Sequence, residues 1–158
     1  MKYDFSLAAS DDIPAIMAIY GSLIGTSGCT WGDDYPCMDN VVNDIASGSL
    51  YIIRDGDTII SVAAAGFCDE LEDFVWSPKN PCDLARIGVV SDKQNRGIGS
   101  LMLQNVIAAV KLRGFDGIRM LVSKTNPHAL AMYDKNGFTR LNEVVIFDID
   151  FYRYEMVF

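Results

Sequence analysis

An apolar, strand-like segment gives way directly to a helix-like one in the middle of this chain, and this junction most constrains the fold. Residues 84–90 are predicted as a strand, and residues 98–112 as a helix that ends near Gly114. A second apolar run, residues 118–123, is predicted as the next strand. A strand–helix–strand unit places its two strands side by side and parallel, so we expect a partly parallel sheet.

The remaining segments complete a mixed α/β fold. Helices are expected from Ser10, as N-cap, to about residue 24, over residues 39–46, and over residues 126–135. Further strands are expected over residues 3–7, 50–54, 58–67, 138–148 and 150–157. The order predicts a single domain over residues 1–158, with a sheet of about seven strands and about four helices.

The turn before the central helix is suited to an anion. Gly97 and Gly99 carry no Cβ, so a ligand can approach the main chain closely. The first turn of a helix leaves its N–H groups without partners, and the helix dipole favours negative charge there. The spacing fits neither a Walker A loop nor a dinucleotide fingerprint. What remains is the pattern Gln-x-x-Gly-x-Gly, which begins at Gln94.

A second informative segment begins at Asn126. This residue is a good helix N-cap, and Pro127 suits the first helical position. Gly137 can adopt the left-handed conformation that ends a helix. Ala129 and Tyr133 lie four residues apart and therefore share one face of this helix. Core packing is the commoner role for a tyrosine at such spacing, so that interpretation of Tyr133 stays open.

Together, the glycine turn and the Asn126–Tyr133 segment resemble the signature of the GNAT superfamily of N-acetyltransferases, and residues 31–36 with Trp76 resemble a bacterial branch of it. The resemblance implies the GNAT-type acyl-CoA N-acyltransferase fold, with acetyl-CoA as co-substrate. It implies transfer of an acetyl group to a primary amine of a small molecule or peptide by direct attack. Members are often dimers, so the resemblance is compatible with a homodimer.

The resemblance also implies roles for individual residues. Tyr133 matches the general acid that protonates the CoA thiolate, and Glu70 is favoured over Asp73 and Asp83 as general base. Trp31 and Tyr35 are expected to line the acceptor pocket. The residues expected to bind acetyl-CoA are Ile87, Gly88, Val89, Gln94, Asn95, Arg96, Gly97, Ile98, Gly99, Ser100, Asn126 and Tyr133.

The composition narrows the range of partners. The formal net charge of −8 disfavours nucleic acid and anionic membranes and suits a cationic amine. Lys93, Arg96 and Lys124 are the cations expected near the CoA motifs, and His128 is interpreted as a solvated helix residue that could also bind CoA or water.

The sequence shows no clear sign of a metal site, of disulfides, of a membrane span or of a signal peptide. The four cysteines have no Cys-x-x-Cys spacing and the chain has one histidine, so free buried thiols and no metal are expected. No apolar stretch reaches the ~20 residues that cross a bilayer, and the first residues do not resemble a signal peptide, so a cytoplasmic location is expected.

Two other functions fit the same motifs. The chain could bind CoA without catalysis, as a sensor or interaction module. It could also be an unrelated nucleotide-binding α/β domain that uses the same glycine turn.

Overall fold

The computed structural model describes residues 3–158 and confirms the mixed α/β prediction. Its seven strands form one sheet in the order β1-β2-β3-β4-β5-β7-β6. The elements are β1 (Tyr3–Leu7), α1 (Ile13–Leu23), α2 (Met38–Ala46), β2 (Leu50–Asp55), β3 (Thr58–Gly66), β4 (Pro81–Val89), α3 (Ile98–Leu112), β5 (Gly117–Ser123), α4 (Pro127–Lys135), β6 (Thr139–Ile146) and β7 (Ile149–Val157).

Most boundaries differ from the predictions by one or two residues, and two of the differences have local reasons. β4 begins at Pro81 rather than at residue 84, because a proline is tolerated at the first position of a strand. Ser10 is not the N-cap of α1, since a short 3-10 turn (Ser10–Asp12) precedes that helix. The Ala9 N–H donates instead to the carboxylate of Asp12 at 2.8 Å, which closes this turn.

Helices cover both faces of the sheet. On one face α1 and α2 pack on β2 and β3, and Ile16, Val41 and Ile52 are fully buried there. On the other face α3 contributes Met102 and Leu103, which pack in a cluster with Ile53. Ile52 and Ile53 enter opposite cores because successive side chains of a strand point to opposite faces. The apolar runs of β2 and β3 follow from this two-sided burial.

The central strands β4 and β5 are parallel neighbours only at their beginnings. Their pairing covers residues 81–83 of β4 and 117–119 of β5, and ends at the pair Asp83 and Arg119. Beyond that point β4 pairs with β3 alone, and the register shifts between Val62 and Ala64. Arg86 lies at this irregularity with a φ of +49°. A β-bulge bends its strand, which accounts for the separation of β4 from β5.

A buried ion pair holds the last paired position of β4 and β5. Arg119 Nε donates to Asp83 Oδ1 at 2.5 Å and its Nη2 donates to Oδ2 at 3.2 Å. The Cys68 N–H donates to the same carboxylate at 2.7 Å. Asp83 and Arg119 are 1% and 5% exposed, so neither charge is solvated well enough to stand alone.

We expect Arg119→Met to lower the free energy of unfolding by about 3 to 5 kcal/mol, because it leaves the Asp83 carboxylate buried and unpaired. Urea denaturation measures this. Asp83→Asn in the same background removes the stranded charge, so the double variant should be more stable than Arg119→Met alone. A double variant that is equally unstable would contradict this assignment.

Candidate active site

The gap between β4 and β5 opens into the larger of two cavities described here, of about 1480 Å³. Residues 84–89 of β4 form one wall and residues 120–123 of β5 form the other. The N-terminus of α3, one face of α4, the α1–α2 loop, residues 67–71 and the turn between β6 and β7 also line it. A second cavity, of about 800 Å³ beside Trp76 and Arg113, contains none of the glycine-turn residues. The predicted motifs therefore meet at the larger cleft.

The glycine turn presents open main chain to this cleft. Gly97 has a φ of +81° and precedes α3, and a Cβ added there would meet no heavy atom within 4 Å. The first intrahelical bond runs from the Leu101 N–H to the Gly97 carbonyl at 3.0 Å. The N–H groups of residues 98–100 precede that bond and have no intrahelical partner. Positive charge from the α3 dipole and these donors suit an anionic group.

Other residues of the turn have structural roles. A Cβ on Gly99 would lie 2.8 Å from Met132 Sδ, so this glycine allows α3 to approach α4. The Gln94 side chain donates from Nε2 to the Val89 carbonyl at 3.0 Å and closes the turn. Asn95 takes a φ of +62° and lines the cleft, as do Ile98 and Ser100. Arg96 is exposed and does not line it.

Tyr133 belongs both to the core and to the cleft. It is 3% exposed, and its ring centroid lies 5.5 Å from that of Phe138 and 5.8 Å from that of Tyr154. Burial, followed by the nearby Tyr154 hydroxyl, raises the pKa of Tyr133 far above its ordinary value. The hydroxyl has no hydrogen-bond partner within residues 3–158, although the residue lines the cleft. It is therefore a protonated donor at neutral pH.

The α1–α2 loop covers the start of α4 through one glycine that the motifs did not indicate. A Cβ on Gly28 would lie 2.9 Å from Asn126 Cα, and Gly28 has a φ of +81°. Asn126 is the predicted N-cap, because its Oδ1 accepts from the Ala129 N–H at 3.2 Å. Trp31, in the same loop, packs edge-to-face on Tyr20 and lies beside the glycine of β4, Gly88. The α1–α2 loop thus covers one side of the cleft.

The three carboxylates considered as a general base differ in burial and in position. Glu70 is exposed on a short 3-10 helix (Asp69–Asp73) and lines the cleft. Asp83, whose pKa burial raises, is engaged by Arg119 and does not line the cleft. Asp73 is exposed and also lies outside the lining. Glu70 is the one of the three that lines the cleft, so it remains the candidate base.

The motifs missed Arg86, a charged residue in the part of β4 that lines the cleft. Its Nη2 donates to Asp44 Oδ2 at 2.7 Å, and its Nη1 donates to the Tyr35 hydroxyl at 3.0 Å. Its carbonyl accepts a 3.5 Å hydrogen bond from the Tyr20 hydroxyl. The only sequence signal was the charge itself, since a strand buried on both faces rarely carries one.

The expected cations are distributed differently from the prediction. Lys93 lines the cleft, with its Nζ 3.7 Å from Asp55 Oδ2. Lys124 instead pairs with Glu143 at 2.8 Å and lies outside the lining. Lys135, which the motifs did not single out, and the exposed His128 both line the cleft.

All four cysteines are free, as expected; Cys82 is buried and the other three are half-buried, so the expectation of buried thiols is met in full only by Cys82. Burial raises the pKa of Cys68 to about 12 and that of Cys82 to about 11, so both remain thiols at neutral pH.

Within residues 3–158, no group of three His, Cys, Asp or Glu side chains could hold a metal ion, and no helix is long and apolar enough to cross a membrane.

The family model for the acetyltransferase (GNAT) family matches residues 14–138. The match covers the strand–helix–strand unit, the glycine turn and α4, which are the elements that form the cleft. The chain therefore belongs to the GNAT acetyltransferase family, and it is an acyltransferase. This membership contradicts the alternative of an unrelated nucleotide-binding domain.

Solved structures share the fold over the full length. A ribosomal-protein-alanine N-acetyltransferase from Brucella melitensis superposes with a TM-score of 0.80 at 18% identity, covering 98% of this chain and 99% of that one. The yncA structure from Salmonella typhimurium, solved with its cofactor acetyl-CoA, gives 0.79 at 16% identity, over 99% and 94%. An N-acetyltransferase from Staphylococcus aureus Mu50 gives 0.77 at 19% identity, over 99% of both chains.

The contact of Gly28 with Asn126 can be tested against a matched glycine. Gly48 also has a positive φ, of +68°, but a Cβ there would meet nothing within 4 Å. Both alanine variants carry the backbone strain of a positive φ, of about 1 kcal/mol or more. Only Gly28→Ala adds a clash, so we expect it to cost at least about 1 kcal/mol more, measured by urea denaturation. Equal losses of stability in the two variants would contradict close packing of the α1–α2 loop against Asn126.

Proposed function

We propose that this chain transfers the acetyl group of acetyl-CoA to a primary amine of a small molecule or peptide, with residues 1–158 acting as one domain. The observation that carries the proposal is the continuous cleft of about 1480 Å³ between β4 and β5, which connects the glycine turn to Tyr133 and Glu70. Membership of the acetyltransferase (GNAT) family supports the reaction class.

The described residues fit the shape and charge of acetyl-CoA. The N–H groups of residues 98–100 would bind its diphosphate, since Gly97 leaves the main chain open there. Lys93 and Lys135 would add local positive charge in a chain whose net charge is −8. The pantetheine arm would lie along residues 87–89 of β4, because no neighbouring strand covers that edge. Asn126 would contact the same arm near the thioester.

The thioester supplies an activated acetyl group, and the chain supplies position and proton transfer. A main-chain N–H near Val89 would polarise the thioester carbonyl. Glu70 would take a proton from the attacking amine as the C–N bond forms. Tyr133, which its raised pKa keeps protonated at neutral pH, would donate its proton to the sulfur as the C–S bond breaks and would regain one from water. No covalent enzyme intermediate is needed.

The acceptor would enter beneath the α1–α2 loop. Trp31 and Tyr35 line that end of the cleft, and aromatic faces attract ammonium groups as well as apolar side chains. Glu70 also lines the cleft and would attract a protonated amine, which would lose one proton to water before it attacks.

We expect Gly97→Glu to reduce CoA affinity by about 100-fold or more, because the new carboxylate fills the open turn and repels the diphosphate. Gly25→Glu is the matched control, since Gly25 has a φ of +82°, equally open surroundings and no place in the cleft lining. Isothermal titration with CoA measures both. Equal CoA affinities of the two variants would contradict the assignment of the glycine turn as the diphosphate site.

We expect Tyr133→Phe to lower kcat by about 100-fold or more while CoA affinity changes little, because the proton donor is lost. Its stability should also be nearly unchanged, since the hydroxyl forms no hydrogen bond. Tyr51→Phe is the control, as it removes a hydroxyl that accepts from Arg113 at 3.2 Å away from the cleft. Thiol release from acetyl-CoA across a panel of amines gives the rates.

Two outcomes would separate the alternatives. A normal kcat in Tyr133→Phe would contradict the general-acid role and leave the transfer reaction standing. Tight acetyl-CoA binding by the wild type with no turnover of any amine would contradict the transfer and favour a CoA-binding module.

A further inference from the structure

Arg86 has an unusual unsatisfied hydrogen-bond donor. Within residues 3–158, its Nε is the one buried side-chain nitrogen or oxygen without a hydrogen-bond partner. The side chain is only 10% exposed, yet the residue lines the cleft. Buried polar groups are almost always paired, so an unpaired donor on a residue that lines a cleft points to a group that is supplied from outside the chain.

The rest of the guanidinium is firmly held. Asp44 Oδ2 accepts from Nη2 at 2.7 Å, and the Tyr35 hydroxyl accepts from Nη1 at 3.0 Å. The Arg86 backbone is itself constrained, with a φ of +49° at the irregularity of β4. These contacts fix the orientation of the side chain before any ligand arrives, so little freedom remains to be lost on binding.

The position of Arg86 relates it to the acceptor rather than to the diphosphate. It precedes Ile87, at the start of the β4 segment proposed for the pantetheine arm, and the glycine turn lies beyond the other end of that segment. Arg86 and Glu70 both act electrostatically on the Cys68 thiol, which places the guanidinium and the candidate base around one residue. A ligand at this end would meet both.

We propose that Arg86 Nε–H binds a carboxylate of the acceptor, so that the preferred acceptor is a primary amine that also carries a carboxylate, as an amino acid does. This rests on the proposed function and specifies its substrate class. Guanidinium N–H groups bind carboxylates strongly because both partners are charged, whereas an amide or an alkyl group offers no negative charge. Glu70 would face the amine while Arg86 holds the acid.

The test compares each amino acid of a panel with its own carboxamide. The measured quantity is kcat/KM for the acid divided by that for the amide. Dividing the wild-type ratio by the ratio for a variant cancels the different basicity of the two amines. We expect Arg86→Met and Arg86→Lys to lower the ratio by about 10-fold to 100-fold, mainly through KM of the acid, because the charged hydrogen bond is lost.

Arg54→Met is the matched control. Arg54 also pairs with one aspartate, Asp12, at 2.7 Å, but it lies outside the cleft. Its acid-to-amide ratio should equal that of the wild type. If amines are acetylated but Arg86→Met leaves the acid-to-amide ratio unchanged, the assignment of Arg86 is overturned. The proposal of acetyl transfer then still stands.

A binding measurement keeps the inference testable if no amine turns over. The Nε–H resonance of Arg86, assigned by its loss in Arg86→Lys, is followed in 15N-labelled protein during titration with N-acetylglycine and then with N-acetylglycinamide. A shift that saturates with the acid but not with the amide supports the carboxylate site even without transfer. The absence of a shift with both probes, together with no turnover, would overturn both proposals.

Discussion

The ion pair between Asp83 and Arg119 sets the point from which the site is built. It lies at the last paired position of two parallel strands, and it is buried, so the two strands are held together up to that point. Beyond it the irregularity at Arg86 bends β4 away, and the sheet opens. The cleft is therefore a property of strand pairing, since uncovered strand edges form its walls.

The main-chain donors at the start of α3 explain how an acidic chain can accept an anionic substrate. The donors at the far end of the gap are main-chain N–H groups at the start of α3, which carry no formal charge and need no basic patch. The net charge of −8 is therefore compatible with a diphosphate at this turn and with an amine at the other end. One continuous cleft can serve both, because the start of α3 and the Glu70 carboxylate both line it.

The central unit, the glycine turn and the Asn126 cap could be predicted from the sequence, because each depends on neighbours within a few residues. Contacts between distant segments were not readable. The approach of Gly28 to Asn126 depends on the path of a long loop, and the pairing of Lys124 with Glu143 depends on how the last hairpin packs. Arg86 was missed because its bulge arises from pairing between β3 and β4.

A crystal structure of the protein with CoA tests the central claim most directly. The account predicts that the diphosphate accepts hydrogen bonds from the N–H groups of residues 98–100, and that the pantetheine arm runs along residues 87–89 toward the Tyr133 hydroxyl. A diphosphate bound elsewhere, or an arm that leaves the gap between β4 and β5 empty, would contradict it.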